Sequence, residues 1–235
     1  MSASPPQDTQ TLRDIGRLDD ALYDLDLEIG HIRRRYNRLK ASRDELQSRM
    51  ETHTAVLGEK RRTEGSLNAQ YAKVQRQRDQ AQRALDAGTQ ADAAQRQIDA
   101  CTAKMDDLET ELLMLMDDIE EGQAHLSTLQ SDLADAQSVL EEATPPAREA
   151  VRALQERKAA LESERTGHHA ALPADLQRRH DNLAARHRTA IAWFKDNTCQ
   201  RCQHGVPLKR GSDAVRGLLV HCDGCGRWLL PANDG

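Results

Sequence analysis

The stretch IGRLDDALYDLDLEIGHIRRRYNRL, residues 15–39, decides the fold class of this 235-residue chain. Its apolar side chains return at intervals of three and four residues, beginning with Ile15, Leu18, Leu22 and Leu25. That spacing places them on one stripe of an α-helix, at the a and d positions of a heptad repeat. The stretch therefore predicts a coiled-coil helix.

Two helices of nearly equal length follow from this register. With Ile15 at position a, 16 of the 21 a and d positions up to Leu85 are apolar, and a second series begins at Ile98. Between them, Gly88 predicts the end of the first helix and Thr89 a cap for the second. We expect an antiparallel hairpin over residues 11–170 with its turn near 86–90. A parallel dimer of single long helices is the alternative, against which the turn signal at Gly88 argues.

Proline marks the two places where regular helix is expected to fail. Pro5 and Pro6 fall in a polar segment, so residues 1–10 are predicted to be disordered. Pro145 and Pro146 predict a kink or short break near 145, with Thr144 capping a new helix and the heptad continuing in phase.

The composition excludes several classes of protein. Only 3% of the residues are aromatic, 30% are charged and the mean hydropathy is -0.77, which argues against a compact α/β or all-β enzyme for most of the chain. The longest apolar runs are about five residues, whereas a membrane-spanning helix needs roughly 18. We expect no membrane and no small-molecule substrate as partner.

Four of the five cysteines carry the strongest chemical signal. They form two pairs, Cys199-x2-Cys202 and Cys222-x2-Cys225, separated by 19 residues. Two such knuckles supply four sulfur atoms in a closed tetrahedron, which is typical of one structural Zn²⁺. A metal site also favours a reducing cytoplasm over a disulfide framework. A redox dithiol, or replacement of a sulfur by His204 or His221, are the alternatives.

The C-terminal segment, residues 171–235, differs from the rest in pattern and in charge. A short basic helix is predicted from Pro173 to about Thr189, followed by a four-cysteine zinc ribbon with short β-strands. Residues 165–235 carry a net charge of +5, against -10 for residues 1–164. Cys101 occupies a d position and is predicted to be a small core side chain.

Three functions are compatible with this pattern. The first is binding of DNA or RNA through the basic end, by Arg178, Arg179, Arg186, Arg188, Lys195, Arg201, Lys209, Arg210, Arg216 and Arg227. Trp193, Phe194 and Trp228 either stack on bases or form the small core of the ribbon. The second is a protein–protein adaptor or chaperone role, for example for a transcription factor. The third is a metal-dependent nuclease using Asp117 and Glu121, which a solvated helix face explains better.

The arrangement resembles a bacterial family of coiled-coil zinc-ribbon proteins, in which a long helical hairpin carries a C-terminal four-cysteine ribbon. The resemblance rests on Leu172-Pro173, Val206-Pro207 and the sequence VHCDGCGR at residues 220–227, with Leu229. It implies regulatory binding without catalysis, since relatives are linked to flagellar gene control, an alternative sigma factor of the nitrogen-regulation type, and RNA. The first knuckle departs from the family pattern, because its glycine comes only at Gly205.

Overall fold

The structure is a computed structural model that describes residues 6–88 and 90–232. Two long helices, α1 (Pro6–Asp86) and α2 (Ala91–Ala170), pack as a hairpin. They precede α3 (Ala174–His187), β1 (Ile191–Lys195), β2 (Thr198–Cys199), α4 (Leu208–Val215), β3 (Val220–His221) and β4 (Trp228–Pro231). The predicted fold class, a helical hairpin followed by a small C-terminal region with short strands, is confirmed.

The described residues form two compact units, which we describe separately. The central unit comprises residues 36–88 and 90–144, and the terminal unit comprises residues 6–35 and 145–232. In the central unit the predicted seam is buried, with Leu57 and Leu108 almost inaccessible to solvent. Gly122 faces Leu57 across the seam, and a Cβ there would lie 2.6 Å from the Leu57 Cδ2 atom. The heptad thus predicts which face of each helix is buried.

The turn between α1 and α2 lies where glycine predicted it. Gly88 has a φ of 71°, which favours glycine, and its amide donates to the Leu85 carbonyl at 3.0 Å. The Gln90 carbonyl accepts from the Ala94 amide at 3.0 Å as α2 begins. The predicted cap, Thr89, lies outside the described residues.

The start of α1 differs from the prediction. Residues 6–10 were predicted to be disordered, but α1 begins at Pro6. Proline is compatible with a first helical turn, because its missing N–H would have no partner there. Thr9 donates to the Gly217 carbonyl at 2.8 Å, and Leu12 is fully buried, so tertiary contacts hold this turn. Residues 1–5 lie outside the described part of the chain.

Of the kink or short break predicted at the two prolines, the break is absent, and the kink stays a prediction. Pro145 and Pro146 lie inside a continuous α2, and the Thr144 hydroxyl donates to the Leu140 carbonyl at 2.6 Å rather than capping a new helix. Beyond them the heptad changes phase. The predicted a residues Leu154 and Leu161 remain half-buried, but the predicted d residues Arg157 and Glu164 are exposed. Val151, Lys158 and Arg165 are half-buried in their place. This is a four-residue stutter, which moves the seam around the helix.

The terminal unit contains a four-stranded sheet of order β2-β1-β4-β3. β1 and β4 are parallel, and the outer pairs are antiparallel. Asp196 and Asn197 have φ values of 51° and 56°, as a type I′ hairpin turn requires. The helix α4, between the two cysteine pairs, was not predicted.

Two hydrophobic clusters stabilise the terminal unit. The first joins α1 to α3 and the sheet, through Leu12, Ile15, Leu172, Leu176, Ala190, Ile191, Trp228 and Leu230. The second lies between the sheet and the cysteine pairs, and consists of Ala192, Phe194, Cys199, Val206, Ala214, Val220, Cys222 and Leu229. Gly16 permits the close approach in the first cluster, since a Cβ there would lie 3.0 Å from the Ile191 Cγ2 atom.

Candidate metal centre and basic surface

The four predicted cysteines come together at one end of the sheet. Cys199 ends β2 and Cys222 follows β3, so the strands fix the first sulfur of each pair. All four Sγ atoms lie within 4.8 Å of one another. The Sγ–Sγ distance is 4.0 Å between Cys199 and Cys225, and 3.6 Å between Cys202 and Cys222. Four sulfurs at 2.3 Å from one ion would be about 3.8 Å apart, so the group could hold a metal ion such as zinc.

The two cysteine pairs have the same backbone geometry. In the first, the Gln203 amide donates to the Cys199 carbonyl at 2.8 Å, and the Gly226 amide does the same to Cys222 in the second. The φ values of these residues are 59° for Gln203 and 75° for Gly226. Gln203 thus occupies the left-handed position that Gly226 fills in the other knuckle. Gly205 plays no equivalent part.

Gly224 allows the two knuckles to approach each other. A Cβ at this position would lie 2.8 Å from His204 Cβ and 3.3 Å from Cys202 Sγ. Any larger residue would therefore push the first knuckle away from the second. His204 itself is exposed, and the His221 ring lies 2.9 Å from the Gly226 carbonyl oxygen through Nδ1. The four-sulfur group in the described residues does not include either histidine.

Hydrogen-bond donors around the sulfurs affect their ionisation. Burial raises the pKa of Cys199 and Cys222, against the lowering effect of nearby backbone N–H groups. Burial also opposes ionisation of Cys225, but the backbone and side chain of Arg227 donate to its sulfur, and the pKa falls to about 7. A bound cation would favour the thiolate form of all four.

Arg227 has a structural role that the sequence did not reveal. Its Nε donates to the Thr189 carbonyl at 3.1 Å, and its Nη2 donates to the His187 carbonyl at 3.1 Å. His187 is the last residue of α3, so this guanidinium satisfies carbonyls at the helix end and joins α3 to the second knuckle. Arg227 was predicted to contact nucleic acid, yet these bonds occupy it.

Four more of the ten predicted basic residues are engaged within the protein. Arg188 lies 3.7 Å from Asp26 and over the Tyr23 ring, and Arg201 binds Asp20. Arg210 pairs with Asp223 at 2.6 Å and donates to the His221 carbonyl at 2.7 Å. Arg216 pairs with Asp213 at 2.6 Å. Lys195 is exposed at the end of β1. The structure therefore does not gather all ten side chains into one available surface.

The remaining four basic side chains are exposed: Arg178, Arg179 and Arg186 on α3, and Lys209 on α4. Within residues 6–88 and 90–232 none of the four has an ion-pair or hydrogen-bond partner. Leu176 and His180 form the buried stripe of α3, and the three arginines lie outside that stripe, on the solvent-exposed part of the helix. Asp175 shares that exposed part.

The aromatic side chains form part of the core. Trp228 is 1% exposed, Phe194 is buried, and Trp193 is half-buried with its indole nitrogen bonded to Asp20. Of the two interpretations of these residues, the ribbon core is the one that the structure supports.

The acidic run in α2 has the geometry of a solvated helix face. Asp117 and Glu121 are exposed, while Ile119 between them is buried. Asp118 forms an ion pair with Lys60 at 2.7 Å. In the described residues, the groups of three or more potential metal ligands lie elsewhere.

The fold and the site together define a helical hairpin with a C-terminal four-cysteine ribbon. Within the described residues, we find no helix with both the length and the apolar content needed to cross a membrane. No protein-family model matches the chain, and no curated protein matches it either.

Solved bacterial structures share this fold. Protein CT398 from Chlamydia trachomatis aligns with a TM-score of 0.82 and 17% identity, over 96% of this chain and 98% of that one. A protein from Mycobacterium smegmatis aligns with a TM-score of 0.71 and 20% identity, over 97% and 100%. Protein HP0958 from Helicobacter pylori gives a TM-score of 0.61 and 14% identity, over 99% and 100%. At these identities, the similarity concerns the fold alone.

Proposed function

We propose that Cys199, Cys202, Cys222 and Cys225 hold one structural Zn²⁺. The sulfur–sulfur distances of 3.6 and 4.0 Å support this proposal, because they bracket the spacing in a tetrahedral zinc–thiolate site. Four thiolates leave no open position for a reacting water, so the ion stabilises the fold and performs no catalysis. A reducing compartment keeps cysteines from forming disulfides, so the proposal includes a cytoplasmic location.

We further propose that this zinc-stabilised end binds DNA or RNA in a regulatory role, without being an enzyme. The observation that carries the proposal is the exposed face of α3, where Arg178, Arg179 and Arg186 have no partner among the described residues. Their guanidinium groups are free to contact phosphates and release counterions. Lys209 on α4 adds a fourth available charge.

A charge-reversal experiment tests the second proposal. The double variant Arg178→Glu and Arg179→Glu should bind labelled single- and double-stranded oligonucleotides at least about tenfold more weakly than the wild type. The control is Arg61→Glu with Arg62→Glu, which changes the net charge equally at exposed positions of α1. Equal binding by all three proteins, each retaining its tightly bound zinc, would reject α3 as the binding surface.

A second candidate function, binding of a protein partner, is supported by the surface of α4. Leu208 and Val215 are 74% and 66% exposed, and a spacing of seven residues places them on one face. Lys209, which is unpaired among the described residues, lies beside Leu208, so this face suits an apolar anchor with an acidic side chain next to it. An adaptor for a transcription factor would present such a face.

The two candidates predict opposite results for two variants. The double variant Leu208→Ser, Val215→Ser should bind a protein partner more weakly and bind nucleic acid as the wild type does. The double variant Arg178→Glu, Arg179→Glu should bind nucleic acid more weakly and bind the protein partner unchanged. Raising the salt concentration also separates them, because phosphate contacts weaken steeply and an apolar contact does not. Affinity measured for both variants across a salt series decides which surface is used.

A further inference from the structure

A second cluster of metal-ligating side chains lies away from the cysteines. His169 belongs to the last turn of α2, and His180 and Asp181 belong to α3. The chain turns between these helices and brings the three side chains together. One potential ligand atom from each lies within 4.8 Å of the other two.

The distances in this cluster are those of ligands around one ion. Asp181 Oδ1 lies 2.9 Å from His169 Nε2 and 3.4 Å from His180 Nδ1. With bonds of 2.0–2.1 Å, the ligand atoms of a tetrahedral zinc site are about 3.3 Å apart. The two measured distances bracket that value, so an ion fits after small side-chain movements.

The hydrogen bonding of the two histidines is incomplete. His169 Nε2 is buried and forms no hydrogen bond, so its 2.9 Å approach to Asp181 lacks the alignment of one. His180 is 1% exposed, and its Nε2 is also buried without a partner. Buried polar atoms are nearly always paired, so the unpartnered His169 Nε2, which faces the carboxylate, requires an explanation. The His180 nitrogen that faces the carboxylate is Nδ1, and it already contacts Asp181. A cation bound between the two imidazole rings and the carboxylate would give His169 Nε2 a partner.

The surrounding charges permit a cation. Arg165 is the nearby positive group, but it forms an ion pair with Asp19 at 2.5 Å. The other Asp19 oxygen accepts from the Thr189 hydroxyl at 2.9 Å. The side chain of Asp181 is 64% exposed, which gives an ion and its water access from solvent. The positive charge of Arg165 is therefore balanced by Asp19, and the site is open to solvent on the side of Asp181.

We propose that His169, His180 and Asp181 bind a divalent transition-metal ion such as Zn²⁺, with water completing its coordination. Two imidazoles and one carboxylate suit zinc better than magnesium or calcium, which prefer oxygen ligands alone. The ion would join the end of α2 to the middle of α3 and hold the turn between them. It shares no ligand with the cysteine site, so each zinc proposal is tested by its own variants.

This inference is tested by calorimetric titration of the full-length protein with ZnCl₂. The tightly bound zinc that the protein already holds is measured first. The wild type should take up one further equivalent. Asp181→Asn removes an exposed carboxylate without changing its shape, and His169→Gln removes one imidazole, so each should weaken that binding by about tenfold or more. The matched controls, Asp175→Asn on α3 and His168→Gln beside His169, should bind as the wild type does.

Circular dichroism and the count of tightly bound zinc show whether each variant is folded. Loss of the further equivalent in Asp181→Asn and His169→Gln, with both controls intact, supports the site. The wild type taking up no further zinc, or all four variants binding it equally, would overturn the inference.

Discussion

The indole nitrogen of Trp193 donates a hydrogen bond to the carboxylate of Asp20 at 2.5 Å, joining β1 to α1. The other carboxylate oxygen of Asp20 binds Arg201. One acidic residue of the first helix therefore engages two side chains that the sequence pattern had linked to nucleic acid. This contact stabilises the terminal unit and limits the surface that remains for a ligand.

Replacing Asp20 with alanine should destabilise the terminal unit. Trp193 would lose its acceptor and Arg201 its partner, and a hydrogen bond to a charged group contributes about 1.5–3 kcal/mol to the free energy of unfolding. Urea denaturation followed by tryptophan fluorescence measures the change. Asp24→Ala, an exposed carboxylate on the same helix, should alter the free energy by less than about 0.5 kcal/mol. Similar effects in both variants would contradict a specific role for Asp20.

Removing one sulfur should remove the tightly bound metal. Cys222→Ser leaves three thiolates, so the zinc content should fall towards zero and the ribbon should unfold, because metal binding supplies much of the folding energy of so small a unit. Most of the helical circular dichroism should remain, since the heptad seam does not contain the site. Cys101→Ser, which removes the buried cysteine of α2, should retain full zinc. Unchanged zinc in Cys222→Ser, measured by mass spectrometry, would refute the ligand set.

The matching knuckles predict opposite effects at equivalent positions. Gln203→Gly should stabilise the zinc-bound protein, because a non-glycine residue in the left-handed region costs about 1–2 kcal/mol. Gly226→Ala should destabilise it by a similar amount. Competition with a chelator, measured for both variants and the wild type, should rank zinc retention as Gln203→Gly first and Gly226→Ala last. The reverse order would show that backbone conformation does not limit the site.

Much of the fold could be predicted because its signals are local and repeated. The heptad beginning at Ile15 indicates the buried faces of the long helices. Gly88 indicates the turn between them, and the two Cys-x2-Cys pairs indicate the candidate metal centre. The stutter after Ala147 was missed since no single residue marks it, and the helix at Pro6 depends on a distant carbonyl at Gly217. The partners of Arg201 and Arg227 come from α1 and from the end of α3. Spacing along the chain cannot reveal such contacts, so the basic surface was overestimated.

The salt dependence of oligonucleotide binding tests the central claim most directly. Affinities of the zinc-loaded wild type and of the Arg178→Glu, Arg179→Glu variant are measured by fluorescence anisotropy at several salt concentrations. If α3 binds phosphates, the plot of log affinity against log salt should be shallower for the variant, by about 0.7–0.9 for each phosphate that it no longer neutralises. The same slope and affinity in both proteins, or no binding by the wild type, would contradict the account.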